Sequence, residues 1–393
     1  MSIRSVILSA CRTPIGKFLG GLAGTPATEL GAVCVREALL RAAIEPDSVE
    51  EVIIGNVLSA GLGQAPARQV AMAAGLSPTV AALTVNKVCG SGLKAVMLAD
   101  QAIRAGDSQI VVAGGIESMS RAPYVLAGVR TGWKLGDQTI VDSMVHDGLW
   151  CAFERWHMGS AAEHIARKHG ISRSEQDKYA AESHRRAIAA IQQGIFRREI
   201  VPTSAAGQGG KPIETDEGPR ADCTAEKLAS LKPVFEPSGS VTAGNSSMLS
   251  DGAAAVVVAG EDTAQRRGVR WQARILATAT AGVEPKELFI APVPAIRRVL
   301  RTANLQPGDI DLFEINETFA AQMLACLNEL NLDPARVNVH GGAIALGHPI
   351  GASGARVLVT LLHALQQHDK TLGLAALCLG GGEAVAMIVE RIA

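Results

Sequence analysis

The stretch Val85-Asn86-Lys87-Val88-Cys89-Gly90-Ser91-Gly92-Leu93-Lys94-Ala95 has a counterpart late in the same chain, Gly347-His348-Pro349-Ile350-Gly351-Ala352-Ser353-Gly354-Ala355-Arg356. Aligning Ser91-Gly92 with Ser353-Gly354 sets the two stretches 262 positions apart. A second pair, Pro46-Asp47-Ser48-Val49-Glu50-Glu51-Val52 and Pro307-Gly308-Asp309-Ile310-Asp311-Leu312-Phe313, repeats at an offset of 261. Two matches in nearly one register describe a duplicated α/β unit. Each copy sets a reactive side chain, a cysteine in the first and a histidine in the second, at the mouth of a glycine-rich turn.

Outward from these turns, helix-like and strand-like segments alternate. Glu29 to Ala43 and Gly92 to Ala105 have apolar residues at helical spacing, and Val52 to Val57 and Ile110 to Gly115 are apolar runs expected of buried strands. The second half repeats the order: helix from Pro294 to Ala303, strand from Leu312 to Ile315, helix from Gly354 to Gln366, and buried strand from Leu374 to Cys378. This alternation predicts parallel sheets covered on both faces. Between about Met119 and Ser250 the charge rises and buried-strand runs become rare, with one clear helical stretch from Ser172 to Gly194. The expected division is an N-terminal α/β half (1–118 plus 250–270), an inserted loop domain (119–249) and a C-terminal α/β half (271–393). An independent central domain is the alternative.

The chain has 393 residues, 48% hydrophobic but only 3% aromatic, with 41 glycines, so its core must be built from small aliphatic side chains in closely stacked layers. A formal charge of −1 argues against a nucleic-acid partner. Seven cysteines (11, 34, 89, 151, 223, 326 and 378) include no C-x-x-C pair, which argues against a disulfide framework or a zinc site and for a reducing, cytoplasmic setting. No run of about 18 apolar residues predicts a membrane span, and the N-terminal apolar run looks like a first strand.

A thiolate at Cys89, at the start of a helix, would feel the positive end of the helix dipole and free backbone N–H groups. Both lower a cysteine pKa below its usual ~8.5. Small residues at positions 90–92 would let a substrate approach the sulfur. From this segment alone, Cys89 reads equally well as a small buried hydrophobe. His348, between Gly347 and Pro349, is a candidate base because it occupies the duplicate of the cysteine turn. Cys378 ends a strand just before Gly380-Gly381-Gly382, whose bare N–H groups suit an oxyanion, although a tight sheet contact explains them too. Asn316 follows a strand and could orient a water or serve as a helix cap. No P-loop, dinucleotide fingerprint, nucleophile elbow or H-E-x-x-H motif occurs, and the remaining histidines form no metal-ligand pattern.

Four ordered segments resemble the thiolases: Asn86 to Gly92, Asn316-Glu317-x-Phe319-Ala320-Ala321, Asn338 to Gly354, and Cys378-x-Gly380-Gly381-Gly382. The likeness runs from Arg12 to the C-terminus and is closest to members acting on acetyl-CoA. It implies a duplicated five-layered αβαβα fold and a homotetramer built as a dimer of dimers. It also implies condensation of two acetyl-CoA molecules to acetoacetyl-CoA and CoA, with thiolytic cleavage as the reverse, CoA and acyl-CoA being substrates and nothing bound permanently. Cys89 would accept the acyl group, His348 would activate it, and Cys378 would move the α-proton. Asn316 would hold a water for one oxyanion hole, and the N–H groups of Cys89 and Gly380 would form the other. Leu149, His157, Met158, Arg220, Phe235, Ser247 and Phe319 would contact CoA.

The chain departs from the family pattern at three places. Leu288-Phe289-Ile290-Ala291 replaces Met-Gly-x-Gly beside the acyl pocket, Glu383-Ala384 replaces a glycine-containing pair, and Thr318 replaces the common alanine. The rival readings are a 3-ketoacyl-CoA thiolase of broader chain length and a non-catalytic acyl-CoA carrier. A decarboxylating synthase would carry histidine where Cys378 stands.

Overall fold

The computed structural model describes residues 4–204 and 211–392. The first half contains strand β1 (Ser5–Arg12), helix α1 (Ala27–Ala42), β2 (Glu51–Gly55), α2 (Pro66–Ala73), β3 (Ala81–Val85), α3 (Ser91–Ala105) and β4 (Ile110–Ser118). After an excursion that carries α4 (Met158–Lys168) and α5 (Arg173–Gln192), the chain returns as β5 (Ser250–Gly260). The second half is β6 (Ala273–Gly282), α6 (Pro292–Ala303), β7 (Leu312–Ile315), α7 (Ala320–Leu330), α8 (Ile350–Gln367), β8 (Leu372–Leu379) and β9 (Glu383–Arg391). The sequence repeat is visible in detail. Both α1 and α6 end on a left-handed residue, Ala43 and Asn304, and both are followed by a 3-10 turn that opens on proline, Pro46–Ser48 and Pro307–Asp309.

The strand order is β7-β8-β9-β6-β1-β5-β4-β2-β3, nearly a palindrome about the β6–β1 junction. That junction is thin: only Val6 with Arg274 and Ile7 with Ala273 pair across it. Helices α1 and α2 cover the outer face of the first half-sheet, and α6 and α7 cover that of the second. Helices α3 and α8 share a buried layer between the two half-sheets. The result is five layers, helix–sheet–helix–sheet–helix, as the resemblance implied.

The expectation of parallel sheets holds only in part. Strand β2 runs parallel to β3 and β4, and β7 parallel to β8, because helical crossovers join them. The pairs β4–β5, β1–β5, β8–β9, β6–β9 and β1–β6 are antiparallel. In the second half the β8–β9 return is a tight turn at Gly380–Gly382, whereas in the first half the equivalent β4–β5 return is opened by residues 119–249. That excursion is fastened to β1 by a buried guanidinium: Arg12 donates to Glu199 (2.6 Å) and to both oxygens of Asp216 (2.6 and 2.9 Å).

The paired glycines explain why the Ser-Gly element is duplicated. A Cβ on Gly92 would lie 2.7 Å from the backbone nitrogen of Ala355, and one on Gly354 would lie 2.3 Å from that of Leu93. Helices α3 and α8 therefore meet backbone to backbone, and these glycines serve helix packing; Gly90 is constrained by packing as well, since a Cβ there would strike Leu379 at 2.4 Å. Gly354→Ala is expected to cost about 1–3 kcal/mol in denaturant unfolding. Gly308→Ala, with open space around its Cβ, serves as the near-neutral control.

Candidate active site

Cys89 is presented on a strained turn. Val88, a β-branched residue, is held at φ 46°, in the left-handed region. Two polar side chains hold it there: Asn86 Oδ1 accepts from Val88 N (3.0 Å), and Ser91 Oγ accepts from Lys87 N (2.8 Å) and donates to Val88 O (2.6 Å). Ser353 fastens the duplicate turn in the same way. Its hydroxyl donates to Pro349 O (2.9 Å) and so accepts from His348 Nδ1–H (2.6 Å). Placing the proton on Nδ1 leaves Nε2 as a lone pair. Nε2 is buried without a partner among the described residues, and His348 lines a cavity that it shares with Cys89.

That cavity, about 600 Å³, brings the candidates together. Cys89, His348, Cys378 and Gly380 line it, together with Leu149, His157, Met158, Arg220, Phe235, Ser247 and Phe319. The backbone N–H groups of Gly380 and of Cys89 itself point at the Cys89 sulfur. Gly381 and Gly382 have positive φ (87° and 88°) and turn the chain from β8 into β9, so of the three glycines it is Gly380 that addresses the sulfur. Lys87 and Glu383 join across the two halves at 2.7 Å, one flanking the cysteine loop and the other the glycine turn.

Asn316 is fully buried just behind the cavity wall. Its Oδ1 accepts from Arg356 Nη2 (3.4 Å), and its Nδ2 donates to Thr318 Oγ1 (3.3 Å) and lies 3.5 Å from His348 Nδ1. Thr318 Oγ1 is also 3.3 Å from Cys378 Sγ. Toward the mouth, His157 caps α4 by accepting from Gly159 N and stacks on Phe235 at 4.8 Å. Arg220 is exposed there and makes no salt bridge among the described residues.

The electrostatics correct one expectation. Burial, then the neighbouring Cys378, pushes the Cys89 thiol up to about 12; the N–H groups of Gly380 and Cys89 oppose this without overcoming it. Burial likewise raises Cys378 to about 11, and burial followed by Arg356 lowers His348 to about 3. The resting site is therefore two thiols and a neutral imidazole, because an enclosed apolar pocket disfavours every charged form. A base that stays unprotonated this far down should give acylation of Cys89 no acid limb near 6.5. The burst of CoA release in single turnover is expected to stay level as pH falls from 6.5 to 5; a titration centred on the ordinary imidazole range would contradict this.

Sequence reasoning missed two contributors, Ser353 and Glu117. Ser353 lay inside the motif, and its role could have been inferred from its match to Ser91. Glu117 is buried at the end of β4 and accepts from Asn56 Nδ2 and from the N–H groups of Val57, Leu58 and Gly351, which clamps the start of α8 to the first half. Nothing local in the sequence marks it. Phe289 packs edge-on against Phe319 (5.2 Å) in the cavity wall, at the position where the sequence departs from the family pattern.

Residues 5–262 match the model "Thiolase, N-terminal domain", and residues 269–391 match "Thiolase, C-terminal domain". The chain is 55% identical over 388 residues to an acetyl-CoA acetyltransferase of Pseudomonas aeruginosa (98% of this chain, 99% of the relative). It is 54% identical over 389 residues to one of Escherichia coli (98% of this chain, 99% of the relative). It superposes on the crystal structure of the Bacillus anthracis acetyl-CoA acetyltransferase with a TM-score of 0.98 at 43% identity, covering 100% of this chain and 99% of the other. The chain belongs to the thiolase family.

Proposed function

We propose that this protein is an acetyl-CoA C-acetyltransferase, joining two acetyl-CoA molecules into acetoacetyl-CoA and CoA and running the reverse thiolysis. The observation that carries this reading is the convergence at one cavity of two thiols, an unpartnered imidazole nitrogen and an N–H pair aimed at one of the sulfurs.

The proton inventory closes with these groups alone. His348 Nε2 takes the proton of Cys89, whose sulfur attacks the thioester carbonyl of the first acetyl-CoA. The N–H groups of Cys89 and Gly380 hold the oxyanion. The CoA thiolate leaves with the proton of Cys378, so the acyl-enzyme has an imidazolium and a Cys378 thiolate. That thiolate removes an α-proton from the second acetyl-CoA, and the enolate oxygen is held at the Asn316–His348 side. The carbanion attacks acetyl-Cys89, the carbon–sulfur bond breaks, and the Cys89 thiolate recovers its proton from His348. The first acyl transfer exchanges one thioester for another of similar energy, whereas the second exchanges a thioester bond for a carbon–carbon bond. Asn316→Ala is expected to lower kcat about 10²–10³-fold.

Residues 119–249 supply most of the CoA contacts, with Arg220 facing the anionic end and His157 and Phe235 flanking the chain of the CoA substrate. We infer a homotetramer, supported by the exposed apolar side chains on and beside the two-strand tongue at 124–126 and 140–142 (Tyr124, Leu126, Trp133 and Leu135). Among the described residues no helix is long and apolar enough to cross a membrane, which agrees with work on small acyl-CoA substrates in the cytoplasm. The deciding experiment is CoA-dependent cleavage of acetoacetyl-CoA followed by a chain-length series. Loss of turnover with longer 3-ketoacyl-CoA substrates supports the reading, and equal or better turnover of them would favour a broader 3-ketoacyl-CoA thiolase.

A further inference from the structure

Thr318 stands between two groups of the site and has been assigned no role. It lines the cavity, and its hydroxyl oxygen is 3.3 Å from Asn316 Nδ2 and 3.3 Å from Cys378 Sγ. The direction of these bonds is determined from outside. Arg356 Nη2 donates to Asn316 Oδ1, so the amide nitrogen must face Thr318, and an amide N–H can only donate. One lone pair of the threonine oxygen is thus occupied, and its single proton is free to point at the sulfur. The backbone of Thr318 cannot drift, since its N–H donates to Gln322 Oε1 (3.1 Å) and its carbonyl accepts from Ser247 N (3.0 Å).

We propose that Thr318 is a positioning residue whose hydroxyl donates to Cys378 Sγ whenever that sulfur is a thiolate, so that Arg356, Asn316 and Thr318 form one donor chain ending on the proton-transfer cysteine. The inference rests on the thiolase reading above. The physical need is clear: the acyl-enzyme requires a thiolate inside an apolar pocket, and Thr318 is the side chain bonded to that sulfur, alongside the cysteine's own backbone N–H. A thiol at rest can reverse the bond and donate to the threonine oxygen, so the contact survives both protonation states.

Among the described residues, Cys89 from the loop before α3 and Cys326 on α7 lie close enough to Cys378 to interact with it, and His348 from the loop before α8 lines the same cavity. Burial raises both neighbouring thiols and lowers the imidazole, so all three stay neutral where Cys378 is probed.

The test is the pH dependence of iodoacetamide alkylation at Cys378, read by peptide mass spectrometry in a Cys89→Ala background. Thr318→Val keeps the shape and removes the hydroxyl, Thr318→Ala removes both, and Thr318→Ser restores the hydroxyl. Valine and alanine are expected to move the midpoint up by about one pH unit, roughly tenfold in rate below it, with serine returning it toward the parent. With Cys89 present, valine should lower kcat for condensation more than it lowers formation of acetyl-Cys89. A valine midpoint coinciding with the parent's, or a serine variant that behaves like valine, overturns the proposal. The thiolase reading fails separately, if Cys89 of the unaltered protein takes no acetyl group from acetyl-CoA; the alkylation midpoint reports on Thr318 in either case.

Discussion

Cys89→Ala is expected to yield no acyl-enzyme with acetyl-CoA and to reduce both condensation and thiolysis to the solution background, a loss of roughly 10⁴-fold or more. No other group can take over. Cys378 is the remaining thiol lining the reactive end of the cavity, but the N–H groups of Gly380 and Cys89 are directed at the Cys89 sulfur. A carbonyl attacked by Cys378 would form its oxyanion away from those donors. Intact-protein mass spectrometry after acetyl-CoA treatment decides the matter, and an acetyl group found on Cys378 in the unaltered protein would exchange the two roles. The alanine should leave the fold nearly unchanged, because Cys89 is half-buried and the turn is fastened by Asn86 and Ser91 rather than by the cysteine.

Cys378→Ala should separate the two half-reactions. The nucleophile, its base and its oxyanion donors all remain, and a CoA thiolate can leave without the proton of Cys378, so the variant is expected to accumulate acetyl-Cys89, more slowly than the parent. Forming the carbon–carbon bond requires a base at the α-carbon, and losing a positioned general base typically costs about 10²–10⁴-fold. His348 cannot substitute without leaving its bond to Ser353, and in the acyl-enzyme it already carries the Cys89 proton. Rapid quench with labelled acetyl-CoA should therefore show retained label on the protein and almost no acetoacetyl-CoA. A variant that condenses at the parent rate would remove Cys378 from the mechanism. These outcomes also discriminate against a non-catalytic carrier, which would bind acyl-CoA and form no covalent adduct at all.

Much of the architecture was legible in the chain because duplication writes the fold twice. The strand at Leu312–Ile315 matches its expected span, and the helices at 27–42 and 350–367 differ from theirs by a few residues, where caps and not periodicity set the ends. The parallel sheet expectation failed at β4–β5 and β8–β9, because a hairpin return and a helical crossover leave the same apolar runs in the strands they join. The low thiol pKa expected for Cys89 failed for a related reason. A helix N-terminus can be inferred from a glycine-rich turn, but the depth of burial and the second sulfur beside it cannot.

Residue order alone determined which side chains could perform chemistry, since the two Ser-Gly turns and the triple glycine mark backbone positions where only small residues or strained φ are tolerated. Tertiary structure decided what those residues face and in which protonation state they rest. The hydroxyl of Thr318 against Cys378 joins residues 60 positions apart, and the clamp at Glu117 reaches back to Asn56 and forward to Gly351. Such contacts, and the loss of water that accompanies them, come into being only when the chain folds on itself, and the bond from Gly351 to Glu117 and the cavity shared by Cys89 and His348 need the two halves to close on each other.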